Sequence, residues 1–140
     1  NPIPGPMDDY EKTIKRHCGR IGAIEAFISG PGLENHYEFK SGIKLSSREI
    51  IDLYRQKDEI AAEVMDEYFE RTARSFSTFI NIIDPEVIVC GGGMSEIDEL
   101  YKEVPSRIIP YIASNFFLTP MVKAEHGSSS GVRGAAYLWG

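Results

Sequence analysis

The run Asn81-Ile82-Ile83-Asp84-Pro85-Glu86-Val87-Ile88-Val89-Cys90-Gly91-Gly92-Gly93 constrains this chain most, because it reads as a buried strand passing straight into three glycines. Residues without a Cβ let a phosphate or a purine come close to the main chain. The subsequent Met94-Ser95-Glu96-Ile97-Asp98 can start a helix, whose free N–H groups and dipole attract anions. Neither the P-loop ending in Gly-Lys-Ser/Thr nor the spaced Rossmann glycines are present. Two readings therefore stand for Gly91, Gly92 and Gly93: a tight strand-to-helix turn, and backbone approach to a ligand.

The elements around this run predict an α/β fold. Ala61, Val64, Met65, Tyr68, Thr72, Phe76, Phe79, Ile80 and Ile83 recur at three- and four-residue steps, so a helix is expected from Asp58 to Ile83 with one buried stripe. On its other face Glu67 with Arg71 and Glu70 with Arg74 read as solvated i,i+4 pairs, each contributing about 0.2 to 0.5 kcal/mol. Asp84-Pro85 ends that helix. Val87-Ile88-Val89, within a strand from Glu86 to Cys90, is apolar on both faces and suits a central, mostly parallel strand covered by helices on each side. Ser46-Ser47-Arg48-Glu49 is a capping box that opens a helix through Ile50, Ile51, Leu53 and Tyr54.

Shorter helices are expected over Gly22 to Ile28 and Leu33 to Phe39, with Ser29-Gly30-Pro31-Gly32 as punctuation between them. Ile97 to Asn115 should be helical with a break near Pro110, and a strand should lie near Met121 to Ala124. A closing helix carries Gly131, Gly134, Ala135 and Ala136, small enough to press against a neighbour or a ligand. Asn1-Pro2-Ile3-Pro4-Gly5-Pro6 is too rich in proline for a helix or a central strand. Residues 1–9 read as an extended arm from something upstream, and the whole as a fragment forming a single domain over 1–140.

With 140 residues, 42% hydrophobic and 26% charged, the chain can bury about two thirds of its unfolded surface and needs no metal or disulfide to fold. The net charge of -6, with no basic run, argues against nucleic acid or an anionic membrane as partner. No apolar run approaches the ~20 residues a bilayer requires and no signal peptide is evident, so a cytoplasmic location is expected. Cys18 and Cys90 make no disulfide framework. Cys90, on an apolar strand, is read as inert core, and His36 and His126 as surface or packing residues.

The pattern Asn-x-x-Asp-Pro-x-x-Ile-Val-x-Gly-Gly-Gly at Asn81 to Gly93 resembles the C-terminal half of the ROK sugar kinases. Cys18-Gly19-Arg20-Ile21-Gly22-Ala23-Ile24-Glu25, with Ser29-Gly30 behind it, is similar to that family's cysteine-rich turn and trailing Ser-Gly. Lys123-Ala124-Glu125-His126-Gly127 and Ser130-Gly131-Val132-Arg133-Gly134-Ala135-Ala136 resemble the closing strand and helix of the bacterial fructokinase branch. The opening Asn-Pro-Ile-Pro resembles the stretch directly after the family's Glu-x-Gly-His motif.

This resemblance implies the second lobe of an actin-like, hexokinase-like (ribonuclease H-like) ATPase fold. It also implies transfer of phosphate from ATP, with Mg, to a hexose, fructose by the branch, with acylated amino-sugars and glucose left open. The general base and first phosphate loop would lie upstream, so no catalytic residue is expected here and the isolated chain is expected to be inactive. Glu25 carries over to a glutamate that accepts hydrogen bonds from sugar hydroxyls, against the plain alternative of a solvated helix glutamate. Gly91, Gly92 and Gly93 carry over to the nucleotide side.

The family's zinc turn is degraded. Arg16 and Ala23 stand at two of its three cysteine positions, only Cys18 remains, and His17 beside it cannot easily share one tetrahedral site, so zinc is not expected. Expected partners are a hexose, ATP, the missing N-terminal lobe and a second copy in a homodimer. Two other readings stay open: a sugar-responsive repressor of the same family with a DNA-binding module upstream, and an assembly module using Phe116, Phe117 and Trp139.

Overall fold

One 25-residue helix organises the chain. In the computed structural model, which describes residues 2–15, 19 and 21–138, α5 (Glu59–Ile83) begins where the Asp58 side chain accepts the Ala61 amide at 2.8 Å. It ends at Asp84, in the left-handed conformation, with its amide on Ile80 O. Before it come α1 (Asp9–Thr13), α2 (Glu25–Ile28), α3 (Gly30–Ser41) and α4 (Ser47–Arg55); after it β1 (Ile88–Cys90), α6 (Asp98–Ile108), β2 (Met121–Lys123) and α7 (Ser130–Tyr137). α5 packs against α2, α3, α4 and α6. Phe69, Leu33, Ile50, Met65, Val64, Val104 and Ile108 are fully enclosed there, and each large apolar side chain contributes about 1.5 to 3 kcal/mol by leaving water.

The capping box at α4 forms as expected, with Ser46 accepting the Glu49 amide and Glu49 returning to the Ser46 amide at 2.8 Å. Ser29-Gly30-Pro31-Gly32 does more than punctuate. Ser29 accepts the Gly32 amide at 3.2 Å, so α3 starts at Gly30 with proline in its first turn, earlier than Leu33. α6 continues through Pro105, which removes one internal hydrogen bond, and gives way to a 3-10 turn at Ile109–Tyr111 near the expected break. Asn81 holds that turn, donating to Tyr111 O at 2.9 Å and accepting the Ala113 amide at 3.0 Å.

Three expectations are corrected. The Arg71 and Arg74 face of α5 is not solvated: both guanidiniums are buried. Arg74 is on Glu11 rather than Glu70, whose carboxylate instead meets Tyr111 and Arg107. The stripe also stops short of Ile83, which is 67% exposed. β1 pairs in parallel with β2, Ile88 opposite Met121 and Val89 opposite Val122. Ile88 enters the core while Val87 and Val89 are 47% and 59% exposed. Strand side chains alternate faces, and among the described residues only the Ile88 face is covered. In α7 a Cβ at Gly131 or Gly134 would meet open space among the described residues.

Candidate functional site

The glycine run sits at the mouth of a cleft of about 530 Å³, within the range of small-molecule sites. β1 delivers the chain to Gly92, whose φ of +88° and ψ of 176° are reached essentially only without a Cβ. Ser95 then closes the turn, its amide at 3.1 Å and its hydroxyl at 2.7 Å both donating to Gly92 O. Tyr101 locks the turn from α6, its hydroxyl donating to Ser95 O at 2.8 Å.

Facing this turn are the first turns of two helices. Gly30 and Pro31 come from α3, and Ser47, Arg48, Ile51, Asp52 and Arg55 from one side of α4. The two helix starts are joined by the Ser47 amide, which donates to Glu34 Oε1 at 2.8 Å. Arg55 forks onto Glu99 at 2.8 and 3.0 Å and so ties α4 to α6. Glu96, on the opposite wall, pairs with Lys123 of β2. The result is a cleft with two helix N-termini, a bare glycine backbone, and the Arg48 and Asp52 side chains at its wall, suited to an anionic ligand that also carries hydroxyls.

The structure brings only part of the expected set together. Gly93 lines the cleft, and Gly91 borders a second cavity of about 340 Å³ behind it, lined by Thr72, Phe76, Phe79 and Cys90 among others. Glu25 is not among the cleft residues. It is the exposed first residue of α2, presented by the turn at Gly22–Ala23. Gly22 has φ +72°, and a Cβ there would lie 2.6 Å from Met7 Sδ, so this turn closes only around glycine.

Arg16, His17 and Cys18 of the degraded zinc turn lie outside the described residues. Ala23 is buried and bridged to Pro2, and offers no donor atom to a metal. Among the described residues no group of three or more His, Cys, Asp or Glu could hold a metal ion. Cys90 is half-buried, and burial pushes its thiol above the ordinary range.

A polar cluster that sequence reasoning missed lies between α5, α3 and the N-terminal segment. Glu11, fully enclosed, accepts from Arg71 Nε at 2.9 Å and Arg74 Nη1 at 3.0 Å. Arg71 also reaches Asp8 at 2.7 Å and Glu67 at 2.8 Å. Its Nη1 donates to His36 Nδ1 at 3.1 Å, which makes Nδ1 the unprotonated nitrogen. His36 Nε2 then faces Glu67 Oε2 at 3.2 Å, outside hydrogen-bond geometry. Burial first, then the Arg71 and Lys40 charges, push the His36 pKa down to about 3 against the opposing charges of Asp8 and Glu63. Burial works to raise Asp8, but the Glu11 amide and Arg71 hold it below its usual value. Burial raises Tyr10, stacked on His36 at 4.3 Å, to about 12. Local spacing could not reveal this cluster, because Arg71 meets partners 60 and 63 positions away.

The ROK family model matches residues 5–140. The chain belongs to the ROK family. It is 40% identical over 132 residues to the N-acetyl-D-glucosamine kinase of Vibrio atlanticus, covering 94% of this chain and 44% of that protein. The N-acetyl-D-glucosamine kinase of Haemophilus influenzae is 40% identical over 122 residues, covering 87% and 40%. In fold this ROK chain matches a hexokinase from Thermus thermophilus, with TM-score 0.76, 23% identity, and 90% and 44% of the two chains covered. A Streptomyces griseus glucokinase in complex with glucose and AMPPNP gives TM-score 0.74 at 20% identity, covering 86% and 45%. The fold is therefore that of the second lobe of the actin-like, hexokinase-like architecture, α/β and rich in helix as expected. The chain spans less than half the length of the curated relatives it matches.

Proposed function

We propose that the protein, in its full length, transfers the γ-phosphoryl group of ATP, with Mg, to a hydroxyl of N-acetyl-D-glucosamine. The observation that carries the kinase reading is the cleft between Gly93 and the first turns of α3 and α4. Backbone amides, helix dipoles and a glycine turn without side chains fit a nucleoside polyphosphate whose charge this acidic chain must meet mostly with main chain. Glu25, on the separate turn before α2, would take the sugar, its carboxylate accepting from two vicinal hydroxyls. The general base and first phosphate loop are assigned to the part of the protein preceding these residues. Phosphoryl transfer depends mainly on positioning and charge stabilisation, so both parts are required.

The acceptor is chosen from the relatives, whose names specify N-acetyl-D-glucosamine. Fructose rests on the likeness of the closing strand and helix and of the Asp84-Pro85 strand, and draws no support from those relatives. A homodimer and a cytoplasmic setting complete the proposal. Phe116 is 63% exposed and available to such an interface, whereas Phe117 is partly buried against the core and Trp139 lies outside the described residues. Among the described residues no helix is long and apolar enough to cross a membrane.

The test is a coupled ADP-release assay of the full-length protein with ATP, Mg and either N-acetyl-D-glucosamine, glucose or fructose. The expected order places N-acetyl-D-glucosamine first in kcat/KM. A higher value for fructose would overturn the acceptor. No turnover with any sugar would overturn the kinase reading in favour of a sugar-responsive repressor or an assembly module.

A further inference from the structure

Among the described residues, the segment that precedes α1 forms no helix or extended strand of its own. Pro2, Pro4 and Pro6 donate no backbone hydrogen bonds and forbid helix. Its conformation is imposed from α5. Arg74 is buried, and its Nε and Nη2 donate to Pro4 O at 2.9 and 2.6 Å. Nη2 also reaches Pro6 O at 3.2 Å, while Nη1 holds Glu11 at 3.0 Å. One planar fork therefore fixes two carbonyls of the arm and the carboxylate at the start of the next helix, a geometry that an ammonium cannot reproduce.

The arm in turn holds the Glu25 turn. Ile3 N donates to Gly22 O at 2.7 Å, and Gly22 N donates to Ile14 O at 3.2 Å. Bridges join Pro2 to Ala23 and Lys15 to Ile21. Residues 21–23 are thus gripped between the start of the arm and the residues that follow α1, two positions before Glu25. Ile3, Tyr10 and Phe27 form a small core of their own, separate from the main cluster under α5. The arm and Phe27 of α2 share that small core, and the arm is tied to α5 through Arg71 and Arg74.

We infer that Arg74 is a positioning residue for the sugar acceptor, acting through the arm and the Gly22 turn on Glu25. The inference rests on the reading of Glu25 as a sugar ligand. Removing the fork loosens the arm's hold on the Gly22 turn, which lets the Glu25 carboxylate at the start of α2 shift while leaving the nucleotide cleft, built on α3, α4 and the glycine turn, in place.

The experiment uses the full-length protein with Arg74→Ala, Arg74→Lys, Glu25→Gln and the double variant Arg74→Ala/Glu25→Gln, at a temperature where circular dichroism shows each folded. Both Arg74 variants should raise the KM for N-acetyl-D-glucosamine about tenfold, with kcat and the KM for ATP within about twofold. Arg74→Lys carries the test should the alanine variant fail to fold. In amide exchange, Ile3 and Gly22 should lose protection while Val64 and Met65 keep theirs. Because Arg74 acts through Glu25, the double variant should have a sugar KM within about twofold of Glu25→Gln alone. An unchanged sugar KM beside a lowered melting temperature would reduce Arg74 to a purely structural role, and multiplicative effects in the double variant would place its action elsewhere; either result overturns the inference. A wild-type protein that neither binds nor phosphorylates the sugar would overturn the functional reading itself, and shows before any variant is made.

Discussion

Glu11→Gln tests whether the cluster under the arm is as tightly buried as the geometry states. The substitution keeps the shape of the side chain but replaces a fully enclosed carboxylate, held at 2.9 and 3.0 Å by two guanidiniums, with an amide. Removing one partner from a buried ion pair costs about 3 to 5 kcal/mol, because the remaining charge stays out of water without compensation. Here Arg71 keeps Asp8 and Glu67, and Arg74 keeps the Pro4 and Pro6 carbonyls. The expected loss is therefore at the low end, about 3 kcal/mol. With an unfolding entropy of about 0.3 kcal/mol per kelvin for a chain this long, the melting temperature should fall by about 10 °C. The control is Glu99→Gln, which breaks the half-exposed fork from Arg55 and should cost no more than about 1 kcal/mol. Differential scanning calorimetry of both variants beside the parent decides the matter. Equal, small shifts would refute the claim that the Glu11 pair is desolvated.

The remaining predictions concern the site and its pH response. Glu25→Gln in the full-length protein should raise the sugar KM by about one to two powers of ten and leave the KM for ATP nearly unchanged, as a lost charge-assisted hydrogen bond requires; unchanged sugar kinetics would remove Glu25 from the site. Gly93→Val should weaken nucleotide binding at least tenfold by calorimetric titration without loss of melting temperature, since Gly93 is outside the positive-φ glycines and a Cβ there meets nothing; normal binding would make the glycine run a turn only. Elemental analysis should find well under one zinc per chain, and a full equivalent would show that other ligands replace those absent at Arg16 and Ala23. His36 has a folded pKa of about 3 against about 6.5 unfolded, so below pH 6.5 the unfolded chain takes a proton that the folded chain refuses. Its contribution is complete above 6.5 and declines by up to about 1.4 kcal/mol per unit as pH falls toward 3; calorimetry at pH 7, 6, 5 and 4 should show a flatter profile for His36→Gln, and parallel profiles would refute the assignment.

What could be seen in the sequence was whatever is decided within a few residues. The Ser46–Glu49 capping box, the Asp58 start and Asp84 stop of α5, and the strand into Gly91 rest on neighbours one to four positions apart, and all are present. The same locality caused the errors. Val87-Ile88-Val89 is apolar at every position, but pattern alone does not say what covers each face, and the Val87 and Val89 side is open among the described residues. Ser29-Gly30-Pro31 carries both a stop and a start, and the start prevails because Ser29 finds the Gly32 amide. The cleft came from that start, since Gly30 and Pro31 line it together with α4 residues 16 or more positions away.

The arginines of α5 show where local reading must fail. Glu67 and Arg71 stand four apart and do pair, as a surface pattern would. Whether that surface meets water depends on a carboxylate sixty positions earlier, in a segment whose prolines mark it only as irregular. A buried guanidinium needs several acceptors in one plane, and an arm whose prolines prevent regular backbone pairing supplies the Pro4 and Pro6 carbonyls. Each is costly alone, and together each satisfies the other. The irregularity of the arm and the burial of Arg74 are thus one fact seen from two ends of the chain, which is why a proline-rich segment can hold the Glu25 turn without any regular structure of its own.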